Sequence, residues 1–284
     1  MKNKHFPLLL IIILFSLVSN LSAQINTPSA EILKAFKSSK TYIVLEDVMF
    51  SDFNSNIKNE ATKHWMITPF EVISLSEFEK FSKNTKSSFL MVVIGEYSGL
   101  PKNTIFNVLT LMMGHPSGDV NRMPEILSIP LSYYSEDGDE EDYGYKLGGI
   151  LKGIQHAIEN LLTQKVTISN AKDILNANKS EVKEKELWLT ANDLSTSVNT
   201  LEKIKQYYSY KVSIKSEEEI RKAIDNNQMD IVVVHKVGNS EIKNSICLKI
   251  IFDCSNGRIY YGSFDSVTSK EPDGLLPRDF QELN

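Results

Sequence analysis

The sequence predicts an α/β fold: two tandem copies of an α-β-α-β-α-β-β-β module, with parallel core strands and an antiparallel edge hairpin, joined by an amphipathic helix. Three observations predict it. The chain matches itself at an offset of roughly 140 residues, the signature of an internal repeat. In each copy short apolar runs alternate with stretches of three- and four-residue apolar spacing. Each copy then closes on two β-rich runs that read as a hairpin.

The chain opens with Lys2 and Lys4 ahead of an unbroken apolar run from Leu8 to Phe15, the pattern of a secretory signal peptide. The run falls well short of the about 20 residues that a spanning helix needs. Cleavage is expected after Ala23, and no cysteine lies near it to carry a lipid. The expected organisation is therefore a signal peptide (1–23), a first module (24–135), an acidic loop with a connecting helix (136–168) and a second module (169–284). The mature protein is expected to be periplasmic or secreted, with no stable membrane span.

Both copies begin alike. Ser29 to Ser38 and Asn170 to Ser180 read as short capped helices, with Ile32 and Leu33 over Ile174 and Leu175. Strands 41–45 and 186–190 follow, each opening into a polar loop. Helices are expected over Asp52 to Trp65 and Ser195 to Tyr208, from the spacing of Phe53, Ile57, Ala61 and of Leu201, Ile204, Tyr208. Second strands at 70–74 and 210–214 lead into helices with Ser76 and Ser216 as N-caps and acidic first turns. The runs 89–94 and 229–234 are nearly continuous and β-branched, as central strands covered on both faces are. Val92 to Ile94 and Ile231 to Val233 are expected to be equivalent.

Hairpins close the copies at 105–113 with 125–134 and at 246–252 with 258–264. Asn256-Gly257 supplies positive φ for the second turn. Between the copies, Leu147, Ile150, Leu151, Ile154, Ile158 and Leu161 share one helical face, which reads as a staple joining the modules.

Cys247 and Cys254 are the only cysteines. On one strand they stand roughly 23 Å apart, far outside disulfide reach, and read as buried small hydrophobes. Without Lys2 and Lys4 the 31 basic residues become 29 against 36 acidic ones. No basic stripe stands out, which argues against a nucleic-acid partner.

The runs Trp65 to Ile73 (WMITPFEVI) and Asp230 to Gly238 (DIVVVHKVG) resemble those of uncharacterised exported proteins of the Bacteroidetes, over most of the mature chain. The resemblance implies export and duplication and carries over no functional residue. In fold alone, each copy is similar to small envelope α/β domains such as the amino-terminal domain of TolB.

In open α/β sheets, ligands favour the crevice beyond the carboxyl ends of the parallel strands. Those loops carry Glu46, Asp47, Gly95 and Glu96 in the first copy, and Asn192, Asp193, His235 and Lys236 in the second. The candidate ligand-binding residues are therefore Asn192, Asp193, His235, Lys236, Glu46 and Asp47. Asp193, His235 and Lys236 suit an anionic or polar ligand, or a positioned proton. The structural alternative makes Asp193 and Ser195 helix caps and His235-Lys236 the end of a buried strand.

No cofactor is expected, because 45–53 and 189–198 contain none of the glycines that bring backbone NH groups to a phosphate. Gly114 to Gly118 (GHPSG) reads as a hairpin turn and not a hydrolase elbow. Metals are not expected either. His5, His64, His115, His156 and His235 form no i, i+4 histidine pair, and the acidic loop Glu136 to Asp142 has Tyr133 and Ser135 where a calcium loop needs acids. Two readings of function follow. One is a noncatalytic exported protein binding an envelope or extracellular macromolecule or a small polar ligand; the other is an enzyme with a cleft at the strand ends of the second module.

Overall fold

The computed structural model describes residues 28–47, 51–96, 104–135, 143–163, 175–242 and 245–284. The expected signal peptide, the acidic loop 136–142 and the start of the second copy at 170–174 lie outside the described residues. In chain order the elements are α1 (Ala30–Lys37), β1 (Lys40–Val44), α2 (Asp52–His64), β2 (Phe70–Ile73), α3 (Leu75–Phe81), β3 (Ser87–Glu96), β4 (Ile105–Met113) and β5 (Glu125–Tyr133). There follow α4 (Leu147–Leu162), β6 (Glu186–Leu189), α5 (Leu201–Ile204), β7 (Val212–Ile214), α6 (Glu217–Asp225), β8 (Ile231–Val237), β9 (Ile246–Asp253), β10 (Ile259–Ser266) and α7 (Pro277–Leu283).

The fold is α/β, with two five-stranded mixed sheets of the same topology. The orders are β2-β1-β3-β4-β5 and β7-β6-β8-β9-β10. In each, the first three strands are parallel and the last two add as an antiparallel hairpin. The chain forms two compact units, one of residues up to 47 with 68–140, the other of 48–67 with 141–284. Helix α2, read in sequence with the first copy, is thus grouped with the second unit.

In the first unit, Ser29 caps α1 by accepting from the Ile32 amide at 3.3 Å. Helix α3 starts two residues earlier than expected. Its N-cap is Ser74, not Ser76, because Glu77 stands at the position that closes a reciprocal capping box and accepts from the Ser74 amide at 2.9 Å. One sheet face is an aromatic cluster in which Tyr42 stacks on Phe81 at 4.4 Å and Phe78 meets Phe89 edge-on at 4.9 Å. At the start of the strands Thr41 Oγ1 lies 2.5 Å from Thr68 Oγ1 and 2.8 Å from Ser88 Oγ, so these buried hydroxyls satisfy one another.

Strands β3 and β8 hold equivalent places, yet the matched residues differ from expectation. Strand β1 pairs with Ser87–Leu90, as β6 pairs with Ile231–Val233. Val92, Val93 and Ile94 have run past β1 and face only β4. Their β-branched likeness to Ile231–Val233 concealed a shift in register.

The second unit buries both faces of its sheet. Leu187, Leu189, Val232, Val234 and Ile251 point to one side, with Val198, Ile204 and Phe280. Val233 and Phe252 point to the other, with Tyr145, Ile220 and Ile224. The helix expected over 195–208 is reduced to a 3-10 turn at Thr196–Val198 and the single turn of α5. Ser195, Thr196, Ser197, Asn199 and Thr200 explain this, since such side chains compete for backbone hydrogen bonds.

Helix α4 packs on α2, α6 and β9. Gln155 ties α4 to the end of α2, donating to the His64 carbonyl at 2.7 Å and accepting from the Met66 and Ile67 amides. Cys247 and Cys254 are buried and free on and just beyond β9, and burial pushes the Cys254 thiol up to about 12. The second hairpin turn uses one positive-φ residue, Gly257, where two were expected.

Candidate functional site

The second unit carries a cleft of about 410 Å³ at the carboxyl ends of its parallel strands. Its position follows from topology. The chain leaves β6 for β7 on one side and returns to β8 on the other, so the loops after β6 and β8 diverge and open a crevice. Ala191, Asn192, Asp193 and Thr196 come from beyond β6, Glu217 from beyond β7, and Lys236 and Ser240 from the end of β8. Tyr145 and Lys146, just before α4, and Pro272 and Asp273, before α7, complete the wall.

Asp193 has two jobs. Its Oδ2 accepts from the Thr190 amide and hydroxyl at 2.7 and 2.9 Å, capping the 3-10 turn Ala191–Asp193. Its Oδ1 lies 3.8 Å from Lys146 Nζ. The N-cap position expected of Asp193 is thus held by Thr190, with Asp193 as its partner three residues on, and Asp193 lines the cleft as well. Asn192 is exposed on the same turn.

Lys236 donates to Asp273 Oδ2 at 2.6 Å, and Asp273 Oδ1 accepts from the Gly274 amide at 2.9 Å. Both lysine side chains are nearly buried, at 5% exposure for Lys146 and 7% for Lys236. Lys146 also stands 4.7 Å over the Tyr145 ring, whose hydroxyl is held above its usual range mainly by burial. The cleft thus joins two ammonium groups to the carboxylates of Asp193, Asp273 and Glu217.

His235 is buried in β8 and does not line the cleft. Neighbouring strand residues point to opposite faces, so Lys236 goes with Val232 and Val234 while His235 goes with Val233. Glu46 and Asp47 sit at the end of β1 in the first unit, whereas every residue lining this cleft belongs to the second. The structure therefore brings together Asn192, Asp193 and Lys236 of the six candidates.

Sequence reasoning missed Tyr145, Lys146, Glu217 and Asp273. Glu217 was within reach of the strand-end rule, because it follows β7 as Asp193 follows β6. Lys146 and Asp273 gave no such signal: they arrive from outside the parallel strands. No family model, curated protein or solved structure matches the chain.

Proposed function

We propose that the chain is an exported, noncatalytic binding protein, periplasmic or secreted, whose second unit takes a small polar ligand with an anionic group at the β6–β8 cleft. The observation carrying this reading is the pair of nearly buried lysines, Lys146 and Lys236, on one strand-end crevice. A buried ammonium is costly unless compensated. The Lys146–Asp193 pair is long at 3.8 Å, and Asp193 spends its other oxygen on its own turn. A ligand carboxylate or phosphate would be recognised by these two ammonium groups, with the carboxylates of the same wall left to meet donors of the ligand. Hydrogen-bonding groups of Asn192, Thr196 and Ser240 suit the rest of a polar molecule. The noncatalytic reading is favoured over the enzyme because the imidazole that general acid-base chemistry would use lies outside the cleft wall.

The test is thermal unfolding of the protein with succinate, L-glutamate or inorganic phosphate. A ligand at 100 times its Kd adds about 2.7 kcal/mol, enough for a clear rise in Tm. At least one of the three should raise Tm in the wild type, and Lys146→Met and Lys236→Met should each lose the rise. No rise with any of them removes the anionic-ligand reading. Export has its own check: the mass of the released protein should correspond to a chain starting near Gln24, and a mass retaining residues 1–23 overturns it.

A further inference from the structure

Three helices of the second unit meet along a polar seam. Asp52, Asn56, Glu60 and His64 recur every four residues on α2, and so share one helical face. Arg221 and Asp225, four apart on α6, reach the same seam: Arg221 donates to Asn56 at 3.1 Å, and Asp225 lies 3.1 Å from His64.

At its centre, two carboxylate oxygens converge on one ring nitrogen. His64 Nε2 is 3.1 Å from Asp225 Oδ1 and 3.6 Å from Glu60 Oε2. The three ligand atoms lie within 4.8 Å of one another. Each carboxylate gives its other oxygen to a cation, Asp225 Oδ2 to Lys63 at 2.7 Å and Glu60 Oε1 to Arg221 at 3.4 Å and Lys63 at 3.7 Å. The inner oxygens are thus left turned towards Nε2. A lone pair on Nε2 repels both of them, and an N–H there points well at only one.

Space is kept on the α4 side as well. A Cβ on Gly148 would stand 2.6 Å from Glu60 Oε2 and 2.9 Å from His64 Nε2, so glycine alone leaves this cradle open.

We propose that Glu60 Oε2, His64 Nε2 and Asp225 Oδ1 form a binding site for one divalent transition-metal cation of the Zn²⁺ class. Bonds of about 2.0–2.1 Å at tetrahedral angles put ligand atoms about 3.3 Å apart, and the two separations from Nε2, 3.1 and 3.6 Å, bracket that edge. One imidazole and two carboxylates are borderline-to-hard donors suited to Zn²⁺, Co²⁺ or Mn²⁺. Three protein ligands leave a fourth position for water. Lys63 and Arg221 balance the carboxylates when no metal is bound. Both are about one-third exposed, at 35% and 28%, so they can swing into solvent as the metal takes over their charge. The site is separate from the β6–β8 cleft and stands or falls independently of it.

The test is titration of the full chain, stripped with a chelator, by Co²⁺ and then Zn²⁺. One equivalent of Co²⁺ should give a visible d–d band that Zn²⁺ bleaches. His64→Gln should weaken binding by about tenfold or more, which is about 1.4 kcal/mol or more. Gly148→Ala, which changes no ligand, should weaken it too, and Asp193→Asn in the other cleft should leave it intact. Lys63→Met, which removes a competing cation, should tighten it several-fold. If His64→Gln fails to fold by circular dichroism, Gly148→Ala and Lys63→Met decide. No band and no Zn²⁺-induced rise in Tm, in wild type and Lys63→Met alike, overturns the proposal and leaves a purely ionic seam. A band unchanged by His64→Gln overturns it equally.

Discussion

Gly257, in the second hairpin turn, lies with its backbone directly against that of Gly153 in α4. Its φ is +71°, and its amide closes the turn on the Asp253 carbonyl at 2.9 Å. A Cβ there would overlap the Gly153 nitrogen and press on Lys152. Gly257→Ala should therefore cost about 1–2 kcal/mol for left-handed backbone and about 1–3 kcal/mol for overpacking. Gly153→Ala should be nearly neutral, since its Cβ would stand 3.3 Å from the Gly257 carbonyl and a helix favours alanine. Urea unfolding of both variants checks the contrast; equal losses would show that the close approach is not what fixes the turn.

Glu125, at the start of β5, is partly buried, and its carboxyl is pushed up to about 7, chiefly by desolvation, against a smaller opposing effect of the Ser128 hydroxyl at 2.7 Å. The folded state then holds a proton that the unfolded state has released between about pH 4.5 and 7. Stability from this group is present below that window and is lost as pH rises through it. Glu125→Gln should abolish the loss. Urea midpoints at pH 5 and pH 7.5 check this: the wild type should fall more than the variant, and parallel changes would overturn it.

The sheets were legible because strand and helix periods are local properties, visible in Leu187, Leu189, Val232 and Val234 as in Phe53, Ile57 and Ala61. Asp193 and Lys236 were legible for a topological reason, as both end parallel strands. His235 was misplaced although strand alternation, also local, separates it from Lys236. The partners of α2 were not legible. Its apolar stripe fits any core, and the face formed by Asp52, Asn56, Glu60 and His64 acquires meaning only once Gly148 and Asp225 are packed beside it. A histidine-pair pattern does not reveal that face, because its i, i+4 pair, Glu60 and His64, is a carboxylate and an imidazole.

Lys249, in the middle of β9, is fully buried, with an ion pair to Asp265 and a 2.6 Å pair to Asp279. Asp279 also accepts from the Tyr261 hydroxyl at 2.7 Å and the Leu276 amide at 2.7 Å, which anchors α7 on the sheet. Lys249→Met strands the Asp279 carboxylate in the core, while Asp265 keeps Arg278, and should cost about 3–5 kcal/mol. Combined with Asp279→Asn, it should cost clearly less than the two single losses together, because the second change removes a charge the first left unpaired. A double-mutant cycle by urea unfolding measures the coupling, and strict additivity would show that the pair contributes nothing jointly.

Lys152 in α4 supplies the last prediction. Its ammonium donates to the Ile224 carbonyl at 2.6 Å, to Asn227 Oδ1 at 2.7 Å and to the Cys254 carbonyl at 2.8 Å. It thus satisfies the end of α6, where a cation is also favoured by the helix dipole. Burial nevertheless lowers its pKa to about 8. Between about pH 8 and the ordinary lysine value the unfolded chain binds a proton that the folded chain does not, so this group's contribution to stability rises with pH across that window. Lys152→Met should lose about 1–3 kcal/mol at pH 7, because it leaves buried acceptors without a donor. It should also lose the alkaline rise, so its deficit against wild type should widen between pH 7.5 and pH 9.5. Urea midpoints of both proteins at the two pH values decide it; a deficit that narrows would mean that Lys152 is charged in the fold throughout and that its hydrogen bonds outweigh its burial.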